Sequence, residues 1–385
     1  MPRYKAHFEP CPKGPTRCVV QNATRFVLQL ELFWVYIPMV FLPGEKMNFS
    51  HEILNVIHST PESRISLAQK LQVTRPYITK LTAALLDKGV IEETEQKDSP
   101  IGRPRTILAV KKGMFFSVNV MVRQYTLEAT LNDYNTTEKT SAAAMFTFNG
   151  PVSPDDFAAK VNELIDLMCQ YAGVARRQVI HTGVALQGGI EQFSGVVRWC
   201  PALNEQHVRL KDRLLSACNT GVSVVNIAWC SCYMLNKALM LKESWLAFLP
   251  GFGSLGFGYF INGNPVLGDN GFYPEIVHLP YSGGLENAFV MDPRCPEESA
   301  ARAVDALFFA IRCTAPLHNI KRVLLAGEFF DEAPDWVIPR TEQLLSQHDS
   351  EHINTIRITF LKLPFRQSMT GLIRLSSDAI TALIA

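Results

Sequence analysis

Residues 66–89 read SLAQKLQVTRPYITKLTAALLDKG. Leu67, Ala68 and Leu71 recur on one helical face, so SLAQKL reads as a short helix opened by Ser66. Gln72-Val73 makes a tight turn, and Thr74 suits the cap of a second helix because its hydroxyl can accept a backbone N–H. Pro76 stands in the first turn, where its missing N–H costs nothing. Ile78, Leu81, Leu85 and Leu86 fall on one stripe, and Gly89 ends the helix. Short helix, turn and longer helix make a helix-turn-helix, whose second helix suits the major groove.

The reading extends to both sides. Upstream, Ile53, Leu54 and Ile57 mark a helix that starts near Asn48 and stops at Pro61. Downstream, VIEETEQKDSPIGRPRTILAV (90–110) reads as two strands around a polar loop, the wing of a winged helix. The loop holds Gly102-Arg103-Pro104-Arg105, an extended segment slim enough to lay a guanidinium in a narrow minor groove. Residues 64–88 carry Arg64, Lys70, Arg75, Lys80 and Lys88 against Asp87 alone, five positive charges less one, a local net of +4. Arg75, Tyr77, Thr79 and Lys80 fall on the open face of the second helix. With Arg103 and Arg105 they are the candidate DNA contacts. A winged helix that binds protein in place of DNA is the alternative.

The totals hide that local charge. The chain has 385 residues, 37 basic and 36 acidic, and a formal net charge of +1. This balance excludes a polybasic coat, and a hydrophobic content of 47% excludes bulk disorder. The length suits two or three domains. Nine cysteines, an odd number without Cys-x-x-Cys spacing, point to reduced buried thiols in a cytoplasmic protein, not to disulfides or zinc. Residues 26–42 (FVLQLELFWVYIPMVFL) are apolar, but short for a membrane span and interrupted by Gln29, Glu31 and Pro38. No signal-peptide cleavage pattern accompanies them, so no membrane partner is expected. They belong to an atypical N-terminal extension, residues 1–47. It is either an extra element packed on the body or sequence upstream of a true start at Met47, and the second is the expectation.

Beyond Lys112 strands and helices alternate. MFFSVNVMV (114–122), YTLEATL (125–131), HTGVAL (181–186), SVVNI (223–227), WLAFL (245–249), FGYFI (257–261) and RVLLAG (322–327) read as strands. SPDDFAAKVNELIDLMCQYAG (153–173), CSCYMLNKALM (230–240) and stretches near 298–315 and 369–384 read as helices. The pattern is that of an α/β body.

A winged helix, then Gly-Arg-Pro, then an α/β body resembles the ROK family (repressors, open reading frames and sugar kinases), and within it the sugar-operon repressors. The body carries GVALQGGIEQFSGVVRWCP (183–201), Val224-Val225-Asn226 and FGYFINGNPVLGDNGFYPEIVHL (257–279) in the family's order. The resemblance runs from about Asn48 to the C-terminus. It implies an α/β fold in which a winged helix-turn-helix at 48–112 precedes an actin-like, ribonuclease-H-like two-lobed body at 113–385. Lobe 1 is about 113–227 plus 371–385, and lobe 2 about 228–370.

The resemblance also implies a lost kinase site. The family's base is an Asp directly after an Asn at a strand end. Here Asn226 is followed by Ile227, which cannot accept a proton. The family's phosphate turn, Asp-x-Gly-Gly-Thr, reads Asn119-Val120-Met121-Val122-Arg123, and the nucleotide motif near Ala326-Gly327 has lost a glycine to Glu328. The family's zinc cluster is reduced to His278 and Cys295. No catalysis, cofactor or metal is expected.

Asn226, Glu275 and His278 match positions that hold a sugar in the family, whereas its Pro-Asn-Leu loop reads Pro201-Ala202-Leu203. A sugar or sugar-phosphate effector, a different small ligand and an empty relic all stand as readings. In the last, Asn226 caps the following helix, and Glu275 and His278 satisfy each other. The expectation is a cytoplasmic regulator, a repressor of carbohydrate genes, bound to double-stranded operator DNA. A homodimer or higher oligomer is expected, because one small module makes too few DNA contacts. The alternative is a sugar kinase with an unusual active site.

Overall fold

The structure, a computed structural model, describes residues 48–96, 105–135, 140–251, 254–361 and 367–385. Residues 1–47 and the loop with Gly102, Arg103 and Pro104 lie outside the described residues.

Helix α1 (Phe49–Ser59) begins where the Asn48 side chain accepts the backbone N–H of Ser50 at 3.1 Å. Helix α2 (Arg64–Lys70) starts two residues before Ser66, because Ser63 is its cap and accepts the Ser66 N–H at 3.2 Å. Gln72, with φ of +54°, turns the chain into α3 (Arg75–Asp87). Thr74 stands at the N-cap position but makes no side-chain capping bond. Strands β1 (Ile91–Gln96) and β2 (Arg105–Val110) pair antiparallel, with Ile91 opposite Val110 and Gln96 opposite Arg105. Glu62 bridges to Leu108 of β2. Ile53, Leu54, Ile57, Leu67, Ile78, Leu85 and Leu108 are buried in one core under these elements.

The body is built on two sheets of similar plan. In the first, β3 (Phe116–Arg123), β4 (Thr126–Asp133) and β5 (Thr140–Thr147) run antiparallel in sequence. Helix α4 (Pro154–Ala172) leads to β6 (Val179–Leu186), which pairs parallel with β3. A small antiparallel sheet of β7 (Gly189–Glu191), β8 (Val196–Trp199) and β9 (Val208–Arg209) follows. Helix α5 (Leu210–Cys218) then precedes β10 (Gly221–Asn226), parallel to β6. The order is β10-β6-β3-β4-β5.

After α6 (Ile227–Leu239) the second sheet repeats this order of events. Strands β11 (Trp245–Gly251), β12 (Ser254–Ile261) and β13 (Asn264–Pro265) run antiparallel. Helix α7 (Pro296–Thr314) leads to β14 (Arg322–Leu325), parallel to β11. Helices α8 (Phe329–Glu332), α9 (Val337–Ser346) and α10 (Glu351–Asn354) precede β15 (Arg357–Phe360), and the chain ends in α11 (Gln367–Ile384). The order is β13-β12-β11-β14-β15.

Helices α6 and α11 fill the space between the sheets. Trp229, Cys230, Tyr233, Leu372 and Ile373 pack there with Met121 and Ala185 of the first sheet and Trp245, Ala247 and Phe260 of the second. Gly371 lets the two helices meet, since a Cβ there would stand 2.0 Å from the carbonyl oxygen of Cys230. Two related sheets about a central helix pair form the α/β, actin-like body that the sequence leads one to expect. No helix among the described residues is long and apolar enough to cross a membrane.

Candidate functional site

The first candidate surface is the outer face of α3. Arg75, Tyr77, Thr79 and Lys80 are all exposed, while Ile78, Thr82 and Leu85 turn inward. Tyr77 stands edge-on to Phe49, ring centroids 5.5 Å apart, so α1 braces it. Thr79 is partly committed, its hydroxyl donating to the Arg75 carbonyl at 3.0 Å. The five basic residues of the 64–88 segment are not equivalent. Arg64 bonds Thr82 at 3.1 Å and pairs with Glu93 at 2.6 Å, and Lys70 pairs with Glu62. Arg75 and Lys80 make no ion pair among the described residues. The segment's net charge thus overstates the outer face, and those two side chains are its cations. Arg105 lies at the start of β2, beside the loop that holds Arg103.

The second is a cleft of about 820 Å³ between the two sheets. Asn226, at the end of β10, lines it, but both ends of its amide are engaged. Its Oδ1 accepts the Ala228 N–H at 2.7 Å, capping α6, and its Nδ2 donates to Gly188 O at 2.8 Å. Ile227 follows in the lining, so the cleft shows an apolar side chain next to Asn226. Glu275 also lines the cleft. Burial raises its pKa, while His278 and Trp199 act in the opposite direction. His278 lies 3.8 Å from Glu275, but its side chain is 77% exposed and it does not line the cleft. The structure thus brings Asn226 and Glu275 to one cavity and leaves His278 on its outside. Among the described residues no three His, Cys, Asp or Glu side chains converge on a metal position.

Residues 119–123, which stand where the resemblance puts a phosphate turn, divide between core and cleft. Asn119 is fully buried and donates to Ser117 at 3.0 Å and Asn132 at 3.2 Å, away from the cleft. Arg123 does reach the cleft, where its Nη1 lies 2.8 Å from Oε1 of Glu328. Sequence reasoning marks both positions as departures from glycine-rich turns, yet does not pair them. Their opposite charges are the available signal. It also passes over Trp199, Glu286 and Tyr273, which line the same cavity.

A duplicated sheet, a central helix pair and a cleft between the sheets make an actin-like architecture. No protein-family model matches the sequence. The chain is 24% identical over 247 residues to the DNA-binding transcriptional dual regulator NagC of Escherichia coli, across 63% of this chain and 59% of that protein. It therefore spans under two thirds of that relative's length. In fold it is similar to a ROK family transcriptional regulator, a homologue of the Mlc protein of Escherichia coli. That likeness has a TM-score of 0.69 and 18% identity, and covers 87% of this chain and 97% of that one. It is also similar to a sugar kinase of Cytophaga hutchinsonii described as putative, with a TM-score of 0.52 and 16% identity, over 68% of this chain and 99% of that one. Sequence similarity to NagC and fold similarity to ROK proteins thus point the same way.

Proposed function

We propose that the chain is a sugar-responsive transcriptional regulator, a repressor acting in the cytoplasm. In this reading residues 48–112 are a winged helix-turn-helix that binds operator DNA, and residues 113–385 sense the effector and support self-association. The observation that carries it is the outward face of α3, where Arg75 and Lys80 stand without an ion pair among the described residues while neighbouring cations are tied down. Such a face offers charged donors to phosphates and base edges. A ligand that binds one arrangement of the two sheets better than another would shift the head's readiness for DNA. Ile227 in the cleft supports a body without catalysis, since the position beside Asn226 holds no base.

Genome-wide mapping of bound DNA tests the proposal directly. Discrete peaks near carbohydrate genes are expected, and their absence from cells in which the chain is expressed would overturn it. The second reading, a sugar kinase, is favoured by the likeness to a sugar-kinase fold and by the retained cleft. A coupled assay over a sugar panel decides: turnover abolished by a cleft substitution establishes the kinase.

A further inference from the structure

Among the described residues the charged side chains lining the cleft are Arg123, Glu128, Glu275, Glu286 and Glu328. Four are acidic, and the fifth is held by one of the four. The Arg123–Glu328 pair spans 2.8 Å, with side chains 26% and 19% exposed, and joins residues 205 apart in sequence. It ties the end of β3 in the first sheet to the turn after β14 in the second. The turn is built for that carboxylate. Gly327 has φ of +130°, and a Cβ added there would stand 2.3 Å from the carbonyl oxygen of Pro250. A Cβ on Gly251 would meet a Glu328 carboxylate oxygen at 2.7 Å. Glycines at both positions therefore let the carboxylate lie against the backbone at the end of β11.

Among the described residues Arg123 is the one cation that lines the cleft, and a phosphate can pair with it there only by competing with Glu328. That would leave a half-buried carboxylate without its partner, in a cavity already lined by three more. Removing one member of a shielded ion pair is costly because the other charge stays uncompensated. An uncharged polyol meets no such penalty, and its hydroxyls can donate to the carboxylates. We propose that Glu328 is a built-in counter-anion that makes the cleft select an uncharged, hydroxyl-rich ligand over the phosphate ester of that ligand. The proposal rests on the effector reading above and narrows it.

The test uses the full chain and calorimetric titration with inorganic phosphate, glucose, N-acetylglucosamine and the 6-phosphate of each sugar. Glu328→Gln keeps the shape of the side chain and removes its charge, so Arg123 becomes available to an anion. Phosphate affinity is expected to rise roughly ten- to hundredfold in Glu328→Gln, the range of a charge-assisted hydrogen bond, and to fall back in the double variant with Arg123→Gln. Wild-type protein that binds a sugar phosphate more tightly than the parent sugar overturns the proposal. So does Glu328→Gln protein, shown folded by its melting curve, that gains no phosphate affinity. If no sugar binds the wild type but the Arg123-dependent gain appears, the sugar-effector reading fails and the counter-anion role stands.

Discussion

Ser377 Oγ lies 3.2 Å from Nε2 of His58, a bond between the last helix of the body and the first helix of the head. The same imidazole nitrogen meets the carbonyl oxygen of Tyr134, which can only accept, so Nε2 carries the hydrogen. The Tyr134 hydroxyl in turn bonds Thr381 at 2.8 Å. At its other end α11 reaches the cleft, where Ser368 lines the cavity and bonds Ser231 at 2.6 Å. One helix therefore touches both the first helix of the head and the cleft, Ser368 and Ser377 being about 13 Å apart along its axis.

Replacing His58 by Ala removes the hydrogen shared by Tyr134 and Ser377. The head is then expected to loosen from α11, with a loss of about 1–3 kcal/mol in stability. A lower melting temperature and faster proteolysis between head and body are the readouts. Unchanged values for both would show that the core of Ile53, Ile57, Tyr134 and Ile380 alone fixes the head.

Arg75→Ala and Lys80→Ala act on exposed side chains without ion pairs among the described residues, so folding stability should change by less than about 0.5 kcal/mol. Duplex affinity should fall, and the salt slope should shrink by about one for every phosphate the variant no longer neutralises. Arg64→Ala is the contrast. It breaks bonds to Thr82 and Glu93 within the head, so its first effect is on melting temperature. Electrophoretic mobility shifts at several salt concentrations separate the two classes.

Much of this organisation is legible in the chain. The stripe through Ile53, Leu67, Ile78 and Leu85 specifies the head's core, and the apolar runs at 181–186 and 245–249 specify central strands. Local competition obscures one helix start, because Ser63 and Ser66 are both good caps. The chain chooses Ser63 because Glu62, beside it, is already fixed in a bridge to Leu108. Strand β5, TSAAAMFT, is hard to see in sequence because three alanines give it little strand propensity, and pairing with β4 supplies what its own side chains do not. In the cleft, Asn226 and Glu275 are found through the resemblance to the family, not through local pattern. The Arg123–Glu328 pair is not found that way, because opposite charge is its only signal in sequence and does not say which of many carboxylates Arg123 meets across 205 residues.

His181 gives the fold a defined response to acid. It is fully buried, and burial followed by the charge of Lys211 lowers its pKa from 6.5 to about 3. The folded protein thus keeps it neutral where the unfolded chain takes up a proton. Between those two values the unfolded state binds more protons, so stability falls as pH drops, by about 1.4 kcal/mol per pH unit from this residue. Above pH 6.5 the contribution is complete. His181→Gln should flatten the pH dependence of the melting temperature between about pH 6 and pH 4. An equally steep profile in the variant would assign the acid sensitivity to the carboxylates.

Asn226 offers a way to separate scaffold from contact. Its carbonyl oxygen caps α6 through Ala228, and its amide nitrogen holds the Gly188 carbonyl, so Asn226→Ala removes both. The loss of a cap alone is worth about 0.5–2 kcal/mol, and the carbonyl left behind adds to it. Asn226→Ser restores the cap, since a serine hydroxyl accepts the same N–H, but does not reach as a two-ended amide does. If Asn226 is scaffold only, stability and sugar affinity recover together from Ala to Ser. If it also touches the ligand, stability recovers while affinity stays at the level of the alanine variant. Paired melting and titration curves on the three proteins distinguish these outcomes, and recovery of both would remove Asn226 from the effector contacts.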